Sequence, residues 1–262
     1  RERFKAWSAD ASRLLDGYLD KDALDKGMVA GMYLFQYFTD LVAGRRRQPR
    51  NDLLTALLAA ESAGDKLTHA ELLSTATLLF VAGFETTMNL LGNGTLALLR
   101  NPDQLARMRD DPSLVRSGVE ELLRYDSPVH VTARIATQDV EIGGETVREG
   151  EQAVAILGAA NRDPEQFPDP DRLDVARTPN RHLAFGGGPH FCLGAALARL
   201  EGQIAFATLL RRLPGLELVT EVATYRDHYV IRGLNELRVR FTPQGAGLRE
   251  AALKETALKE TA

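Results

Sequence analysis

Apolar positions recur at helical spacing through FKAWSADASRLLDGYL and MVAGMYLFQYFTDLV, which predicts two helices over residues 1–44, followed by the basic loop GRRRQPR. A short helix is expected over 52–61. Thr68-His69-Ala70-Glu71 then reads as a capping box, in which hydroxyl and carboxylate satisfy reciprocal backbone donors. The long helix it opens continues to Arg100, where Asn101-Pro102 stops it; about 31 residues would span roughly 46 Å. Further helices are predicted over 103–109 and over SLVRSGVEELLRY, 113–125, ending before Ser127-Pro128.

Beyond that point the period changes. VHVTARIA, QDVEIGG, ETVREG and QAVAIL are short alternating or β-branched runs separated by Gly-Gly and Glu-Gly, the pattern of small antiparallel hairpins. Residues 161–190 are rich in turn residues and are expected to form ordered loop. A helix over 193–212 is ended by Leu213-Pro214-Gly215, and 216–219 and 237–241 read as closing strands. The fold class is therefore mainly α with a minor antiparallel β component. One domain over 1–242 combines a helical core (1–126 and 193–212), β-rich segments (129–160 and 216–241) and a cysteine loop (182–194). The tail ALKETALKETA repeats a five-residue unit of no structural period, so 243–262 is expected to be frayed, disordered or artificially appended.

Composition narrows the chemistry. With 44% hydrophobic residues the chain of 262 can build a core, and a net charge of -4 gives no global basic excess of the kind that binds nucleic acid or membrane surfaces. The most apolar run, Leu72 to Phe84, has thirteen uncharged residues, short of the roughly 18 of a spanning helix. The start, RERFKAWSADASRLL, lacks the apolar stretch of a signal peptide, so a cytoplasmic protein is expected. A single cysteine excludes an internal disulfide and any multi-cysteine metal site and suggests a reducing compartment.

That cysteine lies in Phe185-Gly186-Gly187-Gly188-Pro189-His190-Phe191-Cys192-Leu193-Gly194, a glycine-rich loop running into a helix. A helix N-terminus favours the thiolate, and glycines let a bulky planar ligand approach the backbone. A buried structural cysteine is the alternative. The ten residues match FxxGxxxCxG in full, and on them the chain resembles the cytochrome P-450 family. The resemblance implies Cys192 as the axial ligand of haem b (iron protoporphyrin IX), with Phe185, Gly186, His190 and Gly194 in the cofactor loop, and a thiolate whose electron push favours O–O cleavage.

Other segments match the family in order. Ala82-Gly83-Phe84-Glu85-Thr86-Thr87 puts glycine, an acid and threonines in mid-helix, where they are costly; either a local kink frees their polar groups or they are satisfied individually. It resembles the family's oxygen-activation motif, with Glu85 where many bacterial members carry Asp. This implies Ala82 and Gly83 against the cofactor, Thr86 holding dioxygen and its water, and Glu85 feeding protons inward. Glu121 and Arg124 share a helix face, alone a commonplace solvated pair, but with Arg172 they resemble the family's structural Glu-Arg-Arg network. Arg134, His182 and His190, each of which could be an ordinary surface residue, fall at positions implied to bind the haem propionates.

The resemblance covers 1–242; the family's N-terminal helices, further sheet and one pocket wall are missing. It implies a monooxygenase inserting one atom of dioxygen into a small apolar organic substrate, by C–H hydroxylation or epoxidation, in secondary metabolism. The wording of the motifs is similar to soluble bacterial members, which implies a cytoplasmic monomer fed by a ferredoxin and its reductase, with neither nucleic acid nor membrane as partner. Arg199, Arg211 and Arg212 are candidates for the docking face, or else a solvated helix surface. By family position Leu79, Phe80, Val129, Val131, Val230 and Ile231 line the substrate pocket, or belong to the core. A truncated or accessory relative without catalytic activity is the competing class.

Overall fold

The structure, a computed structural model, describes residues 2–16, 21–62, 67–219 and 222–242; the expected tail lies outside them. Helices α1 (Glu2–Ser12), α2 (Lys21–Arg47), α3 (Leu53–Ser62), α4 (His69–Arg100), α5 (Pro102–Asp110) and α6 (Val115–Tyr125) precede strands β1 (Val131–Ile135), β2 (Val140–Ile142), β3 (Glu145–Val147) and β4 (Gln152–Ile156). The short α7 (Leu157–Ala160), α8 (Ala195–Arg212), β5 (Glu217–Leu218) and β6 (Val239–Arg240) complete the order. Strands pair antiparallel as β1–β4, β2–β3 and β5–β6, with Val131 opposite Ile156 and Ile135 opposite Gln152. The predicted class, mainly helical with minor antiparallel hairpins, is the one observed.

Local chemistry explains the boundaries. At the head of α4 the Thr68 N–H donates to Glu71 Oε2 (2.7 Å) while the Glu71 N–H donates to Thr68 Oγ1 (3.3 Å), the reciprocal box that the sequence predicts. One expectation fails: Gly44 to Arg47 do not form a loop but continue α2 to Arg47. Arginine is a good helix former, cations favour a helix C-terminus, and Arg45 reaches Asp52 at 2.6 Å, so the basic run prolongs the helix.

The chain forms two compact units. In the first, residues 1–86 with His228–Ile231, the interior joins Phe38, Val42, Leu58, Leu72, Leu73 and Ala76 to an aromatic cluster of Phe4, Trp7, Tyr33, Tyr37, Phe80 and Phe84. The second, residues 87–219, 222–227 and 232–242 among those described, is built on α4, α6 and α8, whose Leu90, Leu98, Val119, Leu122, Phe206 and Leu210 share one buried cluster. Gly94 on α4 is a point of close approach to α6 and α8: a Cβ there would lie 2.6 Å from Phe206 Cζ and 3.1 Å from Leu122 Cδ1, and Phe206 is fully buried. Substituting Gly94→Ala is therefore expected to destabilise the chain by about 1–3 kcal/mol despite the better helix propensity of alanine, measured as a lower urea midpoint.

Candidate functional site

The cysteine loop is shaped by backbone. Gly186 and Gly188 have φ of +68° and +63°, which side-chain-bearing residues rarely adopt, and a 3₁₀ turn over Gly188–His190 follows. The Cys192 N–H donates to the Phe185 carbonyl (2.9 Å), closing the loop, and the Cys192 carbonyl accepts from the Ala195 N–H (3.2 Å) at the start of α8. Gly194, expected inside the helix, is its N-cap instead, so the thiol stands just before the first turn. Cys192 is exposed, as are Phe191 and Leu193, and the space over Gly187 and Gly188 is open. His190 and Arg134 are exposed too; the Arg134 guanidinium donates to Thr132 Oγ1 (2.9 Å) and the Ala133 carbonyl (2.7 Å). Leu193, just before α8, and Leu197, Leu200 and Ile204 on it form an exposed apolar stripe.

On α4 the helix runs unbroken through Ala82–Thr87, and Ala82 and Gly83 are exposed. Of the two readings open for these residues, the hydroxyl follows the one in which it is satisfied individually: Thr86 Oγ1 donates to the Ala82 carbonyl at 2.6 Å, a back-bond within the helix that leaves its lone pairs as acceptors. Glu85 is buried at 1% exposure. Thr87 Oγ1 donates to Glu201 Oε2 on α8 (3.0 Å), a pairing across 114 residues that no local pattern announces.

Beneath the loop lies a buried charge cluster. Glu121 and Arg124, both fully buried, pair in a bidentate fork of 2.8 and 2.9 Å. Glu121 also accepts from the Asp174 N–H (2.9 Å), Asn180 Nδ2 (3.1 Å) and Arg177 Nε (3.1 Å). Arg124 donates its remaining protons to the carbonyls of Asn161 and Pro170 (both 2.8 Å) and Arg172 (3.2 Å). The third charged member is therefore Arg177, and the assignment of Arg172 is corrected: its side chain is exposed and only its carbonyl takes part. Arg177 wins because its guanidinium reaches Glu121 and at once donates to the carbonyls of Pro168 (2.8 Å) and Arg172 (3.1 Å).

The neighbouring acid, Glu120, serves the other side of the loop. Arg199 grips it with both nitrogens (2.8 and 3.0 Å) and stacks 4.5 Å over the Phe185 ring. Arg199 is thus not a free docking cation, whereas Arg211 and Arg212 are exposed. His182 is committed as well: Nδ1 accepts from the Ala184 N–H (3.2 Å), so the proton sits on Nε2, 3.0 Å from Glu120. With its side chain 2% exposed and both nitrogens engaged, His182 braces the loop. Burial pushes the Glu120 carboxyl up, but the His182 and Arg199 donors outweigh it and bring its pKa to about 2.

The candidate lining residues divide. Phe80 packs against Phe4, Phe38 and Phe84 within the first unit. Val131 and Ile231 are buried, while Leu79, Val129 and Val230 are half-buried.

Two measurements follow from these contacts. Arg177→Met is expected to cost about 1.5–3 kcal/mol in urea unfolding at neutral pH, against less than about 0.5 for Arg172→Met. Glu120, depressed to about 2 from 4.5, contributes stability that is complete above pH 4.5 and lost as pH falls toward 2. The urea midpoint of the wild type minus that of Glu120→Gln should accordingly shrink across that window, and a constant difference would show that the clamp does not titrate.

Among known proteins, the family model for cytochrome P-450 matches residues 18–215. The biotin biosynthesis cytochrome P-450 of Bacillus subtilis is 46% identical over 92% of this chain and 61% of its own length. The 6-deoxyerythronolide B hydroxylase of Saccharopolyspora erythraea is 41% identical over 92% of this chain and 59% of its own length. A crystal structure of a cytochrome P-450 in complex with an acyl carrier protein bearing hexadec-9Z-enoic acid superposes with a TM-score of 0.86 at 46% identity, over 92% of this chain and 62% of that one. This chain thus spans about three fifths of the length of these relatives, and it belongs to the cytochrome P-450 family.

Proposed function

We propose that this chain carries the thiolate ligand and the oxygen-activating helix of a bacterial haem-thiolate monooxygenase, an oxidoreductase that inserts one oxygen atom into a small apolar organic substrate. The observation that carries the reading is the exposed Cys192, its N–H tied back to Phe185, in a loop opened by Gly186 and Gly188. The residues fit haem b: a soft sulfur donor, an open glycine and apolar surface around it, and exposed Arg134 and His190 as propionate partners. Haem iron, when bound, supplies reductive activation of dioxygen.

The chain's own residues supply the rest. Phe185 and Gly186 hold the backbone that aims Cys192, and Gly194 keeps the thiol outside the helix. Ala82 and Gly83, exposed and small, allow a flat ligand against α4. Thr86, its own hydrogen directed to the Ala82 carbonyl, accepts a hydrogen bond from a water and so orients it. Glu85, buried, feeds protons along the same helix. Glu121, Arg124 and Arg177 keep the loop in place and take no part in chemistry.

The name of one relative, a 6-deoxyerythronolide B hydroxylase, supports a substrate in secondary metabolism, and by family position Leu79, Phe80, Val129, Val131, Val230 and Ile231 are the candidate lining residues. Electrons come from a ferredoxin and its reductase, docking at a face that includes Arg211 and Arg212. The reading as a cytoplasmic monomer rests on the likeness to soluble bacterial members; among the described residues no helix is long and apolar enough to cross a membrane.

A second reading, an accessory or catalytically inactive member of the fold, draws on the exposed stripe of Leu193, Leu197, Leu200 and Ile204, a surface that self-sufficient domains ordinarily bury. One spectrum separates the two. Reduced and treated with carbon monoxide, the haem-loaded protein should show the red-shifted Soret band of thiolate ligation, and Cys192→Ser should lose it. An identical band in that variant would remove Cys192 as ligand, and no haem absorbance in the wild type would favour the second reading.

A further inference from the structure

Residues 228–230 form no strand or helix, yet the backbone donors of Tyr229 and Val230 are satisfied, and the acceptor is a carboxylate more than 200 residues away in sequence. Asp16 ends the 3₁₀ turn Arg13–Asp16 that follows α1, within the first unit. Its Oδ1 accepts from the Val230 N–H (2.9 Å) and the Tyr229 N–H (3.2 Å), and its Oδ2 lies 2.6 Å from His228 Nδ1. The side chains of Asp16 and His228 are 9% and 5% exposed. Three donors converging on one nearly dehydrated carboxylate make a strong clasp, because charged hydrogen bonds are short and removing the acceptor strands the donors away from water.

The consequence is geometric. Without Asp16 the tripeptide 228–230, which precedes the bridge residue Ile231, has no ladder of its own to fix its φ and ψ, and the direction of the Val230 side chain depends on those angles. We propose that Asp16 is a positioning residue for the substrate pocket: by holding the backbone at 229 and 230 it sets where Val230 and Ile231 present their side chains. This rests on the monooxygenase reading, in which these two residues line the pocket, but the clasp itself requires no haem.

Two measurements test it. Hydrogen exchange of the haem-free chain should show the Tyr229 and Val230 amides exchanging about tenfold faster or more in Asp16→Ala. In Asp16→Asn, whose amide oxygen can still accept from both, the change should stay below about threefold. In haem-loaded protein the ratio of the Kd values for 4-phenylimidazole and imidazole reads the pocket wall, since both ligands bind iron through the same ring. That ratio should move by about fivefold or more in Asp16→Ala, be restored in Asp16→Asn, and leave the carbon monoxide band of the wild type intact. Unchanged amide exchange would overturn the clasp. Faster exchange with an unchanged Kd ratio would overturn the positioning role, while loss of haem binding in the wild type, seen alongside the exchange effect, would count against the monooxygenase reading alone.

Discussion

A fully buried carboxylate is costly unless every lone pair is engaged, and Glu121 meets that condition with groups drawn from a segment that has almost no regular structure. Its fork with Arg124 fixes two side chains on α6; the protons and lone pairs left over collect Asn161, Pro170, Arg172, Asp174, Arg177 and Asn180. Hydrogen bonds that a helix or sheet would make internally are here made to one ion pair. Asn161 passes the order on: its side chain accepts from the Leu183 N–H (2.6 Å) and donates to Ser127 (2.9 Å), so the residues leading to Cys192 hang from the same cluster.

Glu120 and Glu121 are sequence neighbours, but a helix turns about 100° per residue, so they face different partners. Glu121 gathers the segment before the cysteine loop. Glu120 gathers the loop and α8 through His182 and Arg199, and Arg199 presses on Phe185, whose carbonyl holds the Cys192 N–H. The thiol is thereby located from two directions by one turn of α6.

Much of this was legible in the residues. The capping box at Thr68, the stop at Asn101-Pro102 and the Gly-Gly hairpin at 143–144 are local devices whose chemistry acts within four residues, and each predicted boundary held to within two positions. The cysteine loop was legible for the same reason. What escaped were contacts without a local cause. Arg172 and Arg177 are both arginines in a turn-rich segment, and only the folded path decides which guanidinium turns toward α6. The engagement of His182 by Ala184 and Glu120, the Thr87–Glu201 pair and the Asp16 clasp likewise join residues whose spacing carries no period. The basic run at 44–47 misled because arginine-rich sequence suits a loop and a helix end equally, and its partner Asp52 lay outside the window that the pattern samples.

The unstructured look of residues 161–180 has a consequence for how such a protein can change. Each of its anchors meets α6 at a fixed distance along the chain, so inserting or deleting a single residue there would put every later anchor out of step with Glu121 and Arg124. The β2–β3 hairpin, exposed and turning on Gly143 and Gly144, carries no such obligation. Variation in length should therefore accumulate in the regular hairpin, while the irregular stretch keeps its residue count.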